Sequence, residues 1–215
     1  MRCGAAVIFF AMTFTAALAQ PATQPINMSE VAVGDHWTYE VTDETEGRIT
    51  SIEKVIVTDT SDNKIAARID YVNTGRFKGL VYDKSWNIFR DGTSHYSPSS
   101  GTGIRLPLTL NAEWQAKVDQ VSDDGFAWII NVNSHVTGQE TITTKAGTFQ
   151  TYIIDATEVI RSTRYPKYTA QTSFRSWFSP EVNHWVRRSV VRREEGLIIR
   201  NQTLELTEYG RKVTQ

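Results

Sequence analysis

Side chains that alternate between apolar and polar along almost the whole chain constrain this sequence more than any other feature. Trp37, Tyr39 and Val41 alternate with Thr38, Glu40 and Thr42. Ile65, Ala67, Ile69 and Tyr71 do the same against Ala66, Arg68 and Asp70, and Leu204 and Leu206 against Thr203, Glu205 and Thr207. A period of two is the mark of a strand with one buried face. No window of twelve or more residues keeps a 3.6-residue apolar period with caps at its ends, so the sequence predicts little helix. One short helix or 3₁₀ turn is expected at Ser29–Val33.

Turn signals separate the strands. Asp124-Gly125 and Glu195-Gly196 fit two-residue type I′ hairpins, and Asp62-Asn63, Thr74-Gly75, Asp91-Gly92 and Ala146-Gly147 mark further turns. Pro180 has no N–H for a ladder, so the strand through Phe174–Phe178 must end there and return through Trp185 and Val186. Phe149 to Ile154 is apolar on both sides, as a centrally buried strand would be. The apolar phase after Trp114, Ala116 and Val118 switches to Val121, which predicts a bulge near Asp119–Gln120. The reading is all-β: an antiparallel meander forming a curved sheet or half-barrel.

Residues 1–19 read as a signal peptide. Arg2 is followed by an apolar run from Ala5 to Leu18 that is too short to span a bilayer, and Ala17-Leu18-Ala19 offers a cleavage site after Ala19. A periplasmic or secreted location follows. Residues 20–28 read as an extended leader and 29–215 as one β-rich domain. Residues 29–92 and 107–209 look like similar halves, because Trp37 and Trp114 begin comparable strands. Between them, Asp91–Leu106 is rich in turn formers and reads as a long, functional or mobile loop.

Chemistry is harder to find. The single cysteine, Cys3, lies in the signal segment, which excludes disulfides, Cys-ligated metals and thiol catalysis from the mature chain. His36, His95, His135 and His184 have no metal-ligand spacing, and no nucleophile elbow or phosphate loop occurs. No catalytic residue, metal or cofactor is therefore assigned. A minority reading, an envelope enzyme, would need His95 to meet Asp91 or Asp83. Formal net charge is −1, which argues against nucleic acid as a partner. Charge is uneven, however: residues 157–215 hold 11 basic and 6 acidic side chains. Arg187, Arg188, Arg192 and Arg193 are accordingly a candidate face for an anion or an acidic partner. Trp37, Tyr39, Trp86, Trp114, Trp128, Trp177 and Trp185 are candidates for lining an apolar ligand cavity on the concave side of the sheet.

Three segments carry a resemblance: Gly34-Asp35-His36-Trp37-Thr38-Tyr39, Ala146 to Ile154, and Trp177 to Arg188. Together they resemble the exported bacterial proteins of the DUF3108 and TapB-like group. The resemblance implies an antiparallel β-rich fold in the bacterial envelope and brings no catalytic residues. The second and third segments are also similar to curved-sheet lipoprotein carriers of the periplasm. The expected function is a non-enzymatic envelope protein that binds an apolar or lipid-like ligand or an envelope partner and is not integral to the membrane. The alternative is an assembly factor of the envelope or of a surface appendage.

Overall fold

The computed structural model describes residues 28, 30–61 and 63–211. The signal segment 1–19 and nearly all of the leader lie outside the described residues. Twelve antiparallel strands follow in order: β1 (His36–Asp43), β2 (Arg48–Asp59), β3 (Lys64–Tyr71), β4 (Arg76–Asp83), β5 (Ile88–Asp91), β6 (Ser94–Ser97), β7 (Glu113–Ser122), β8 (Ala127–Thr144), β9 (Gly147–Ser162), β10 (Thr169–Ser179), β11 (His184–Glu194) and β12 (Leu197–Gly210). Each pairs with its neighbours in sequence, and β1 pairs with β12, so the meander closes into a barrel. The curvature read from sequence is thus carried to closure, and each strand has a neighbour on both sides. Among the described residues there is no helix.

Closure rests on the ladder between β1 and β12, where Trp37 faces Tyr209 and Val41 faces Leu204. Six hairpins, from β1–β2 to β11–β12, gather at one end, here called the rim. The other connections and both ends of the barrel chain meet at the opposite end. That end is closed. Ile104 and Leu108 of the β6–β7 connection are buried there, and the Asp35 carboxylate accepts from Arg211 Nε at 2.9 Å and from the Ala32 amide at 2.9 Å.

The alternation works as the sequence predicts: inward side chains are mainly apolar, while Gln115, Lys117, Asp119, Asn131 and Asn133 face solvent. Two core clusters result. The larger surrounds Trp37, Tyr39, Phe178, Val186 and Leu206; the smaller joins Val118, Ile130, Val132, Ile160 and Ala170.

Several local expectations are corrected. Residues 30–33 are not helical; Ala32–Asp35 form a turn stitched by the Asp35 side chain. β7 has no bulge. Its ladder with β8 runs without a shift from Glu113↔His135 to Val121↔Ala127, so Gln120 points inward and Val121 lies 43% exposed. A polar residue in the inward phase is accepted because Gln120 donates to Ser94 Oγ at 3.0 Å. The Phe149–Ile154 run is not buried on both faces of a flat sheet. Phe149 and Thr151 face in, then Tyr152 and Ile154 do, opposite a register shift at Val136/Gly138 of β8. Asp91–Leu106 is not all loop, since β6 lies within it and pairs with β5. Both Glu195 and Gly196 take positive φ (49° and 83°), as a type I′ turn requires, but at Asp124-Gly125 only Gly125 does (81°).

Candidate functional site

An eight-stranded barrel is wide enough for its side chains to fill; twelve strands leave room. Here that room is a cavity of about 450 Å³ inside the barrel, between the two core clusters. Its floor, toward the closed end, comes from Trp86, Ile104, Phe178 and Trp185, and its walls from Leu80, Ile130, Val132, Ile154, Ile160 and Phe174. The size is that of a small-molecule site.

The floor is built around a buried histidine. The His184 ring stacks on Trp37 at 4.6 Å, meets the edge of Trp86 at 4.6 Å and touches Trp185 at 3.8 Å. The Tyr39 hydroxyl donates to the Trp185 carbonyl (2.9 Å) and meets His184 Nδ1 at 2.5 Å. Burial pushes the His184 pKa well below its ordinary value, and the cations Arg188 and Arg211 lower it further, against a hydrogen bond to Trp185 that raises it. The ring is therefore a neutral core member.

Beside it Trp86 holds a left-handed φ of 60°, a conformation that costs a bulky side chain about 1–3 kcal/mol. The surroundings hold it there. The Asp83 carboxylate accepts from the amides of Ser85 and Asn87, and the Trp86 indole donates to Asn183 Oδ1 at 3.2 Å. Asn87 Oδ1 then accepts from the amides of Gly101 and Gly103, which draws the β6–β7 connection across the floor. A Cβ on Gly103 would lie 2.2 Å from the Ser85 carbonyl oxygen, so only glycine allows that close approach.

The polar wall is the less expected part. Lys78, Asp91, Tyr96, Gln120, Glu158, Arg188, Arg192 and Arg200 all face the cavity. Lys78 Nζ pairs with Asp91 at 2.6 Å, Arg192 with Glu194 at 2.9 Å, and Arg200 donates to Gln202 at 2.6 Å. Arg200 is exposed to solvent yet part of the wall, which marks where the cavity reaches the surface near the rim. Burial raises the Glu158 pKa, opposed by Arg188 and Arg192, and burial likewise raises that of the Tyr82 and Tyr96 phenols.

Of the seven aromatic residues singled out from sequence, Trp86 and Trp185 line the cavity. Trp37, Tyr39 and Trp114 are buried in the core behind it, and Trp128 packs on Tyr168 in the smaller cluster. Trp177 falls on the outward phase of β10 and donates to Glu140 at 2.8 Å on the exterior. Indoles spaced along different strands share a core without sharing a cavity.

The four arginines do not form one face. Arg188 and Arg192 take the inward phase of β11; Arg187 pairs outside with Glu205 at 2.6 Å, and Arg193 is exposed. Nor do His95, Asp91 and Asp83 converge. His95 meets Asp123 at 2.9 Å on the surface, Asp91 faces the cavity, and Asp83 braces the floor turn. Among the described residues no group of three or more His, Cys, Asp or Glu side chains is placed to hold a metal ion.

No family model matches the chain, and no curated protein matches it. Solved structures do. A candidate lipoprotein from Parabacteroides distasonis ATCC 8503 is similar at a TM-score of 0.53 and 15% identity, over 83% of this chain and 96% of that one. A candidate exported protein with a YmcC-like fold from Bacteroides fragilis NCTC 9343 is similar at 0.53 and 12% identity, over 86% and 99%. At such identities the likeness is one of fold. The chain's twelve-stranded barrel is similar in fold to both.

Proposed function

We propose that the protein is a non-enzymatic carrier of the bacterial envelope that holds an amphipathic, lipid-like ligand inside the barrel. The observation that carries this reading is the roughly 450 Å³ cavity inside the barrel, whose lining joins an apolar floor and wall to a charged wall, while the outward phase of the strands is mainly polar. A membrane-spanning barrel has the reverse arrangement, with an apolar exterior band and a polar lumen. The cavity suits one acyl chain and is small for a two-chain lipid. Export is supported by the signal-like residues 1–19 and by the names of its structural neighbours, a lipoprotein and an exported protein.

The test begins with protein recovered from its own envelope. Native mass spectrometry should find a bound single-chain amphiphile, and removing it should change indole emission. Trp185→Phe should shrink that change, whereas Trp177→Phe, on the exterior, should leave it intact. Absence of any ligand, together with no emission response to an added apolar probe, refutes the carrier reading.

A second reading, an envelope assembly factor, is favoured by one feature of the rim. Leu197, Ile198 and Ile199 are consecutive, each more than half exposed, at the tip of β11–β12. Stoichiometric co-purification of an envelope protein that is lost on Ile198→Lys would support it over carriage.

A further inference from the structure

Two charged groups of the cavity wall, Arg188 and Glu158, have no ion-pair or side-chain hydrogen-bond partner among the described residues. Lys78, Arg192 and Arg200 each have a side-chain partner, as above. Arg188 has none within salt-bridge distance among the described residues, and its buried Nε makes no hydrogen bond. Arg188 points inward from β11 and is half-buried, with its Nε buried and its side chain on the cavity wall. Its Cζ lies over the Phe174 ring, 4.4 Å from the centroid, and over the Trp185 ring, 4.7 Å from the centroid. Glu158, on β9, is the acid whose field reaches it, from beyond pairing distance.

A guanidinium held partly away from bulk water is costly unless a carboxylate or phosphate compensates it, and ring contacts return only part of that. Its neighbours along β11, Val186 and Val190, are buried and apolar, so the fold itself does not call for a cation at this position. Contact with two aromatic rings restricts the fork, which lowers the entropic cost of a bidentate ligand.

We infer that Arg188 is the head-group receptor of the cavity: it takes the anionic group of a single-chain amphiphile, a carboxylate or phosphate, while the apolar part lies along Ile130, Val132, Ile154 and Ile160. The inference rests on the carrier reading and adds the charge and shape of the cargo. A diacyl lipid is disfavoured by volume and a cationic amphiphile by the positive balance of the lining, where Lys78, Arg188, Arg192 and Arg200 outnumber Asp91 and Glu158.

Delipidated full-length mature protein is titrated with dodecanoate, dodecanol and dodecyltrimethylammonium below their micelle concentrations. Dodecanoate should bind about ten- to a hundredfold more tightly than dodecanol, the range of a charge-assisted hydrogen-bonded pair, and the cationic amphiphile more weakly than either. Arg188→Met, its barrel checked by far-UV circular dichroism and melting, should lose the preference for dodecanoate while still binding dodecanol. Arg188→Lys should keep part of the preference, having the charge without the fork. If wild type binds dodecanoate and dodecanol equally, or Arg188→Met keeps the preference, the head-group role is overturned and the carrier reading stands. If none of the three amphiphiles binds, both fall together.

Discussion

Lowering the pH from 7.5 to 5.5 should destabilise the barrel through one ring, His184. In the folded state the imidazole is packed among Trp37, Trp86 and Trp185 with Arg188 and Arg211 nearby, so burial and these cations favour its neutral form. In the unfolded chain it titrates near the ordinary value of about 6.5. A histidine whose folded pKa is depressed contributes stability above the unfolded pKa and loses it as pH falls toward the folded one. Between these two pH values the unfolded state gains a factor of roughly ten in proton binding, worth about 1.4 kcal/mol. With a urea slope of about 2 kcal/mol/M, the midpoint should fall by about 0.7 M from this group.

Glu158 and Glu53 act in the opposite sense. Burial raises both, so the folded state keeps their protons to higher pH than the unfolded chain does, and acidification stabilises it through them. The ring's share therefore has to be read as a difference. His184→Phe retains a flat ring on Trp37, and Tyr39 can still donate to the Trp185 carbonyl. Urea midpoints are measured by far-UV circular dichroism, because indole emission responds directly to a neighbouring imidazolium. Wild type should lose about 0.7 M more than His184→Phe between the two pH values. An equal loss in both proteins refutes the buried neutral ring.

Further expectations concern the floor, the core and the register of β7. Gly103→Ala forces a Cβ against the backbone of Ser85–Asn87 and should cost roughly 2 kcal/mol or more, whereas Gly125→Ala meets nothing and should cost about 1 kcal/mol, from φ strain alone. Equal urea midpoints for the two variants would contradict the close approach at the floor. Phe178→Ala should lower stability by about 3–5 kcal/mol, while Trp177→Phe beside it, pointing outward, should cost less than about 1 kcal/mol in the same assay. Gln120→Lys places a charge inside and should destabilise by at least about 1 kcal/mol, and Val121→Lys should change the melting point little. The reverse order would mean that β7 carries the bulge after all.

Parts of the site were legible before any coordinates. Arg188 sits between Val186 and Val190, Glu158 between Ala156 and Ile160, and Gln120 two residues after Val118: each is a polar residue in an apolar phase. That pattern points to a charge facing inward, and grouping the arginines by sequence proximity hid it, since adjacent residues on a strand face opposite ways. At Val121 the alternation was read as a slip of the strand; the strand keeps its phase and accepts a polar side chain instead.

Alternation and turn chemistry by themselves determined the strands, the break at Pro180, the type I′ turn at Glu195-Gly196 and which side chains share a face, because these depend only on backbone geometry over a few residues. Tertiary structure alone decided that β1 meets β12 and that twelve strands enclose more space than their side chains fill. It also decided that, among the described residues, no carboxylate lies close enough to pair with Arg188. Those outcomes depend on residues brought together across the barrel from far apart in the chain, and local periodicity carries no information about that distance.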